Sequence, residues 1–338
     1  MFLAATVWTT TGCERTPLYQ EKRFIFGTLV EIKIYGESRQ QAQQAATDVF
    51  ADLQRLHVAL HPWQQGALSR TNALLTTGEW FSVAPTVLPV VEQAKRLYQQ
   101  SDGLFDPAIG QLIGLWGFHG DTPSTAPPDD AAIETLLKNK ASMKDIELNG
   151  IFMRGHNPKV QLDLSGIAKG HAVQVGLSRL KAMGIHNALI DAGGDLGVIG
   201  RHGQRPWKIA IRHPRQKGVL ATLDLKPNEY IFTSGDYERF FKHAGKRYHH
   251  ALNPRTGRPA QGLQSVTIIH NDGPTADAAA TALFVAGPKY WYAIAKKMGL
   301  RYVMLVKEDG QVLMSPAMAK RVQITVKPSP TIETSQAL

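Results

Sequence analysis

Asp277 and Thr281 lie four residues apart in an alanine-rich run, Ala276-Asp-Ala-Ala-Ala-Thr-Ala, whose pattern predicts a helix. Both side chains then leave one face a turn apart. A carboxylate beside a hydroxyl is hard oxygen ligation, suited to Mg²⁺, which keeps waters and takes substrate phosphates rather than a full protein cage. The competing reading is a helix start with Thr275 as cap and Thr281 in the core. Lys169 falls in the first turn of a second predicted helix, after a strand ending at Leu162–Leu164 that breaks at Ser165-Gly166. Amide hydrogens, the helix dipole and an ammonium make an anion the natural guest there. The predicted strand Ala188–Ala192 ends in Gly193-Gly194, where missing side chains let a ligand approach the backbone, or simply let the chain turn. His249 and His250 precede a turn at Asn253-Pro254. An imidazole is the side chain best able to take a hydroxyl proton near pH 7, and His250 is the candidate acid–base residue. Paired imidazoles suggest zinc, but no third soft ligand lies at a zinc-like spacing.

The combination says more than its parts. Asp163-Leu-Ser-Gly-Ile-Ala-Lys-Gly, followed by Asp191-Ala-Gly-Gly-Asp, resembles the ApbE family of FAD-dependent flavin transferases. Ser101-Asp-Gly-Leu-Phe-Asp-Pro, Tyr248-His-His-Ala-Leu-Asn-Pro-Arg-Thr-Gly and the Asp277 run resemble it too, in the family's order, from about Phe26 to Gly287. The resemblance implies an α+β fold of mainly antiparallel sheets flanked by helices. It implies a Mg²⁺-dependent FAD:protein FMN transferase that attaches FMN to a threonine of a target flavoprotein and releases AMP. Mg²⁺ would be held by Asp277, Thr281 and a main-chain carbonyl at the Ser165-Gly166 break, assigned to Gly166. FAD would meet Phe26, Trp63, Gln64, Gln65, Asp106, Lys169 and Ala251, and His250 would be catalytic. The implied partners are flavoprotein subunits of membrane redox pumps.

The chain departs from the family pattern in three places. Trp63 stands where a Ser-x-Tyr turn has its aromatic, Ala251 replaces a bulkier aliphatic, and Asn253 replaces an aspartate, removing a second base. Leu68 to Asn72 restores the Ser-x-x-Asn-like ending of that first turn. Two rivals use the same residues: an FAD pyrophosphatase with water as acceptor, and a flavin-binding lipoprotein without turnover.

Composition narrows the class. The 338 residues, 43% hydrophobic and 20% charged, suit a globular protein, and no apolar run reaches the length of a membrane span. The net charge of +10 raises nucleic acid as a partner, but neither zinc-finger spacing nor an RNA-binding aromatic signature accompanies it. Basic residues outnumber acidic ones by 13 to 4 between Arg201 and Arg258, which suits an anionic cofactor, membrane lipids or a solvated face equally. No GxxxxGK, HExxH or GxSxG motif is present. The single cysteine, Cys13, closes Thr10-Thr-Gly-Cys after a short apolar stretch, like the end of a bacterial lipoprotein signal, though Thr10 stands where leucine is favoured and no basic residue precedes. The expectation is a lipid anchor on the periplasmic side of the inner membrane.

The elements expected to position these residues follow from pattern. Residues 1–22 read as signal and tether, 23–326 as one α+β catalytic unit, and 327–338 as a disordered tail. Arg23–Tyr35 reads as a strand; Ser38 caps a helix to about Leu60, stopped by His61-Pro62. Helices are predicted over Thr86–Gln100, Asp130–Lys138, Ala276–Val285 and Tyr290–Met298. A hairpin should turn at Asn149-Gly150. Strands are predicted at Trp207–Arg212, Leu220–Leu225, Tyr230–Thr233 and Gln264–His270, with a closing hairpin around Asp309-Gly310. Hairpins with segregated helices are an α+β pattern, and they argue against an NAD-type fold at Gly193-Gly194.

Overall fold

The computed structural model describes residues 18–120 and 124–338; Cys13 and the lipoprotein-like stretch lie outside them. In chain order the elements are β1 (Leu18–Ile25), β2 (Thr28–Tyr35), α1 (Arg39–Leu60), α2 (Ala67–Leu75), β3 (Phe81–Ser82), α3 (Leu88–Gln100), α4 (Gly110–Leu115) and α5 (Asp130–Lys138). Then come β4 (Ile146–Asn149), β5 (Phe152–Gly155), α6 (Ser165–Ala182), β6 (Ala188–Ala192), β7 (Asp195–Ile199), β8 (Trp207–Arg212), β9 (Val219–Leu225), β10 (Tyr230–Gly235), β11 (Phe240–His243) and β12 (Lys246–His249). The chain closes with β13 (Leu252–Asn253), β14 (Arg258–Pro259), β15 (Leu263–His270), α7 (Gly273–Lys297), β16 (Tyr302–Lys307), β17 (Val312–Met314), α8 (Pro316–Ala319), β18 (Gln323–Ile324) and β19 (Ile332–Thr334).

A nine-stranded sheet, ordered β1-β2-β6-β7-β10-β15-β16-β17-β19, is antiparallel throughout except at its last pair. Strand periodicity gives it two apolar faces. Ile190, Phe232, Ile268 and Val303 face one core with α1, α6 and α7. Their neighbours Leu189, Ile231, Ile269 and Met304 face a second core, closed by β8 and β9 through Trp207, Ile209 and Leu223. Each such side chain contributes about 1.5–3 kcal/mol when fully buried. The sheet is a rigid floor for α6 and α7, which carry most of the candidate chemistry.

Five expectations need correcting. Arg23–Tyr35 is not one strand but the greater part of a hairpin, β1 against β2, turning at Phe26 (φ 56°) and Gly27 (φ 70°). Two left-handed residues match the twist of a two-residue hairpin loop, but an aromatic there is unusual, so the turn was masked in the sequence. The tether assigned to residues 1–22 enters the sheet at Leu18. No strand precedes α6: Gln161 makes one isolated bridge to Ile109, and residues 162–164 are held by other means. The tail expected to be disordered instead lays β19 parallel to β17, and Tyr292 donates to the Ala337 carbonyl at 2.8 Å. The two helices expected after Thr275 are arms of α7, bent at Gly287 (φ 68°) before Pro288, and the cap is Asp272 rather than Thr275.

Candidate active site

The site is organised by the crossing of α6 and α7. A Cβ on Gly170 would lie 2.4 Å from the Gly273 carbonyl oxygen, so the two backbones touch only because residue 170 has no side chain. That contact brings Asp277 onto α6, where its Oδ2 accepts from the Gly170 amide at 2.8 Å. In an α-helix that amide faces the carbonyl four residues earlier, which here is Gly166. The Asp277 carboxylate therefore lies against the turn of α6 to which the Gly166 carbonyl belongs. Thr281, a turn further along α7, has its Oγ1 3.5 Å from where a Gly166 Cβ would sit and 3.2 Å from Ser234 Oγ. The three residues expected to ligate a metal are thus brought together as carboxylate, hydroxyl and carbonyl. Among the described residues no three His, Cys, Asp or Glu side chains form a metal cage, so such an ion would rely on waters or substrate oxygens for its remaining positions.

Lys169 pairs with Asp195, whose other oxygen accepts from Thr233 N at 2.9 Å. Burial alone would lower the Lys169 ammonium, but the charges of Asp195, Glu238 and Asp277 override it and keep the proton on. Burial pushes the Asp277 and Glu238 carboxyls well above their usual range, against the pull of Lys169. The pocket is therefore short of positive charge: the buried Asp195 and Asp277 carboxyls, with Glu238 beside them, share one ammonium, and a divalent cation would relieve them.

α6 needs a fixed entry because no strand leads into it. Asn72 supplies it: its Oδ1 accepts from Leu162 N at 2.7 Å and its Nδ2 donates to Leu162 O at 2.9 Å. Asp163 Oδ1 then takes the Ser165 amide at 2.9 Å, capping the first turn. Phe105 packs its ring edge 3.2 Å from the Gly166 Cβ position, which places Asp106 beside the same turn. Asp106 is buried; its Oδ1 accepts from Ala108 N at 3.1 Å and Met143 N at 3.2 Å, while Oδ2 has no partner. Burial pushes this carboxyl up to about 6. An orphaned acceptor in that position suits a ligand N–H or O–H.

His250 follows β12, half-buried, with its amide and Nδ1 both against the Arg239 carbonyl, at 3.1 and 3.3 Å. Burial, with Arg239 and His249 nearby, pushes it well below the usual histidine range, so in the ligand-free site it stands neutral and holds a proton only weakly. His249 is a different case. It is buried edge-on against Phe284 with one ring nitrogen on the Ala260 carbonyl at 2.8 Å, a packing role. Ala251 is buried and its carbonyl accepts from Ala260 N at 3.0 Å, so it faces the core and its strand partner.

A second group gathers at the end of α1. Phe26 packs edge-on to His57 at 5.2 Å, His57 to His61 at 5.8 Å, and the next turn carries Trp63. Gln64 and Gln65 are exposed on that turn. Trp63 lines a groove of about 670 Å³ with Gln111, Gly114, Leu136 and Gln161, four residues before α6 begins. Sequence reasoning passed over Asn72's bonding, Ser234, Glu238 and the Lys169–Asp195 pair. The run Thr233-Ser-Gly-Asp-Tyr-Glu was the only visible signal for Ser234 and Glu238, and nothing in it tells which residues face inward.

The ApbE family profile matches residues 26–304, a span that holds every candidate residue above. The FAD:protein FMN transferase of Rhodobacter capsulatus is 41% identical over 307 residues; these are 91% of this chain but only 59% of that protein. The FAD:protein FMN transferase of Vibrio cholerae is 36% identical, covering 72% of this chain and 73% of its own length. Among solved structures, the ApbE protein of Thermotoga maritima superposes with a TM-score of 0.83 at 32% identity, over 90% of this chain and 99% of that one. With profile, sequence and fold agreeing across the α6–α7 crossing and its surroundings, this chain belongs to the ApbE family.

Proposed function

We propose that this chain is a Mg²⁺-dependent FAD:protein FMN transferase whose acceptor is a threonine hydroxyl on a partner flavoprotein. The observation that carries the reading is the convergence of Asp277, Thr281 and the Gly166 turn beside Lys169, an all-oxygen donor set next to a cation at a helix start. It is supported by the names of the relatives reported above. Gly166, Asp277 and Thr281 would hold the Mg²⁺, which when bound neutralises diphosphate charge and the charge building on the leaving AMP. Lys169 binds the same diphosphate from the α6 side. The unpartnered Asp106 oxygen accepts from the flavin nucleotide and orients it.

His250 acts as base. It takes the proton from the acceptor threonine as that oxygen bonds to the FMN phosphorus. The bond from phosphorus to the AMP phosphate oxygen breaks, and AMP leaves with the electron pair. Anchored through Cys13 on the periplasmic side of the inner membrane, the enzyme would meet flavoprotein subunits of membrane redox pumps as acceptors. Incubating the purified protein with FAD and Mg²⁺, with and without a threonine-bearing acceptor domain, tests this. Covalent FMN on the acceptor together with AMP supports transfer. FMN and AMP released equally without acceptor would make it a pyrophosphatase, and no AMP in either arm would make it a binding protein.

A further inference from the structure

We propose that His61 is the positioning residue that presents Trp63 to the flavin nucleotide, its Nδ1 serving as a fixed acceptor for the turn that carries the indole. The inference rests on the FAD-dependent function proposed above and on Trp63 meeting FAD, as the family resemblance implies. α1 stops at Leu60 because Pro62 confines the preceding residue to extended backbone, and His61 has φ −72° and ψ 120°. Its ring then folds forward over its own turn. Nδ1 accepts from Trp63 N at 3.2 Å and from Gln64 N at 3.0 Å. A nitrogen that receives two N–H groups carries no proton itself, so the ring is the neutral Nε2–H tautomer. The arrangement reproduces with an imidazole the bond that Asn, Asp or Ser side chains make to backbone two and three residues on.

Both ends of the turn are pinned. At the front, His61 sits edge-on to His57 at 5.8 Å, and His57 sits edge-on to Phe26 at 5.2 Å, tying the turn to the tip of the β1–β2 hairpin. At the back, Gly66 donates its amide to Ser69 Oγ at 2.9 Å and runs so close to α1 that a Cβ would lie 2.6 Å from the Val58 carbonyl. Residues 63–65 span these two fixed points, with the indole 5.2 Å from the His119 ring and 3.3 Å from the Gly114 Cβ position. Without the Nδ1 acceptor the front anchor is lost, and the exposed Gln64 and Gln65 offer no replacement.

The test compares His61→Ala, His61→Asn, Trp63→Ala and the double His61→Ala/Trp63→Ala in the full chain. Two quantities are read: hydrogen exchange at the Trp63 and Gln64 amides without FAD, and the FAD dissociation constant by calorimetry. His61→Ala should speed exchange at both amides by about tenfold or more, since their acceptor is gone. It should weaken FAD as Trp63→Ala does, and the double variant should be no weaker than Trp63→Ala alone. His61→Asn, whose carboxamide oxygen can accept the same two amides, should restore both readings to within about threefold. Unchanged exchange in His61→Ala, or His61→Asn behaving like His61→Ala, overturns the proposal. So does a His61→Ala protein that binds FAD normally while Trp63→Ala does not. If Trp63→Ala itself binds FAD like the wild type, it is the reading of Trp63 that fails, and the proposal falls with it.

Discussion

A single methyl group at Gly170 should separate the packing of this fold from its chemistry. The added Cβ would lie 2.4 Å from the Gly273 oxygen, 2.7 Å from the Gly273 carbonyl carbon and 2.8 Å from Pro274 Cα. All three are backbone atoms at the start of α7. They cannot swing aside, because Asp272 caps that turn through Thr275 N at 3.0 Å and Gln174 holds Gly273 N at 2.7 Å. To bring the nearest contact out to 3.0 Å the helices must part by about 0.6 Å, and ordinary contact needs more. Alanine gains about 1 kcal/mol of helix propensity over glycine, while overpacking against rigid backbone costs about 1–3 kcal/mol. With three atoms overlapped the upper end applies, and Gly170→Ala should lose roughly 1–2 kcal/mol net. The same displacement pulls the Asp277 carboxylate off the Gly170 amide, and a shift approaching 1 Å at a positioning group can cost about a hundredfold in rate. The assays are urea unfolding, read at the midpoint with unchanged slope, and FMN transfer at fixed FAD and Mg²⁺. Gly166→Ala is the contrast: its nearest contact is the Phe105 ring edge at 3.2 Å, which can yield, so stability should hold while Mg²⁺ affinity drops. A Gly170→Ala protein with wild-type stability and rate would refute the close-crossing argument.

Other expectations are equally direct. Asp277→Asn keeps an acceptor for the Gly170 amide and removes a carboxyl already strained by burial; it should fold normally, lose transfer by orders of magnitude in limiting Mg²⁺ and recover partly as Mg²⁺ is raised. A wild-type rate in limiting Mg²⁺ would remove Asp277 from the metal site. The Asp106 carboxyl, pushed up to about 6, is protonated when folded at pH values where the unfolded chain is already ionised, so stability falls as pH rises from about 4 through 6 and stays lower above. Asp106→Asn should therefore stabilise the ligand-free protein at pH 7 by about 1–3 kcal/mol, flatten that window in denaturant melts and weaken FAD binding; equal melts at pH 4 and 7 for both proteins would refute it. Asn72→Ala leaves the Leu162 amide and carbonyl without their partner and should destabilise by about 2–4 kcal/mol, measured by urea unfolding. Cys13→Ser should move the protein from the membrane to the soluble fraction, and a wild type already soluble in the cytoplasm would end the anchoring proposal.

Where local chemistry decides structure, the sequence was readable. Asn149-Gly150 marked its hairpin, and Asp130–Lys138 is a helix with the expected limits. Ser38 caps α1 through the Gln41 amide. The misses came from long-range compensation. Phe26 holds a left-handed turn because β1 and β2 pair on either side of it, and the tail is ordered because β17 offers an open edge. The site shows the same division. That Asp277 and Thr281 share a helix face, and that the Gly166 turn leads into the helix carrying Lys169, was legible from helix spacing and a glycine break, while the metal role of Gly166 came from the family resemblance. Glu238, Asn72 and His61 were not, because their roles depend on which partner the tertiary fold sets opposite them. Trp63's aromatic bulk was evident from the sequence; the means of aiming it was not.

The β1–β2 hairpin also sets how tension would reach the site. Pairing runs from Leu18↔Tyr35 at the open end to Ile25↔Thr28 beside the Phe26 turn. A pull at Leu18 directed away from β2 loads that outermost rung first and opens the ladder one rung at a time, as a zipper rather than in shear. Phe26, packed on His57, is the last place such a force arrives. A protein held from that side can be tugged and can fray for most of a strand's length while the aromatic row behind Trp63 stays at rest.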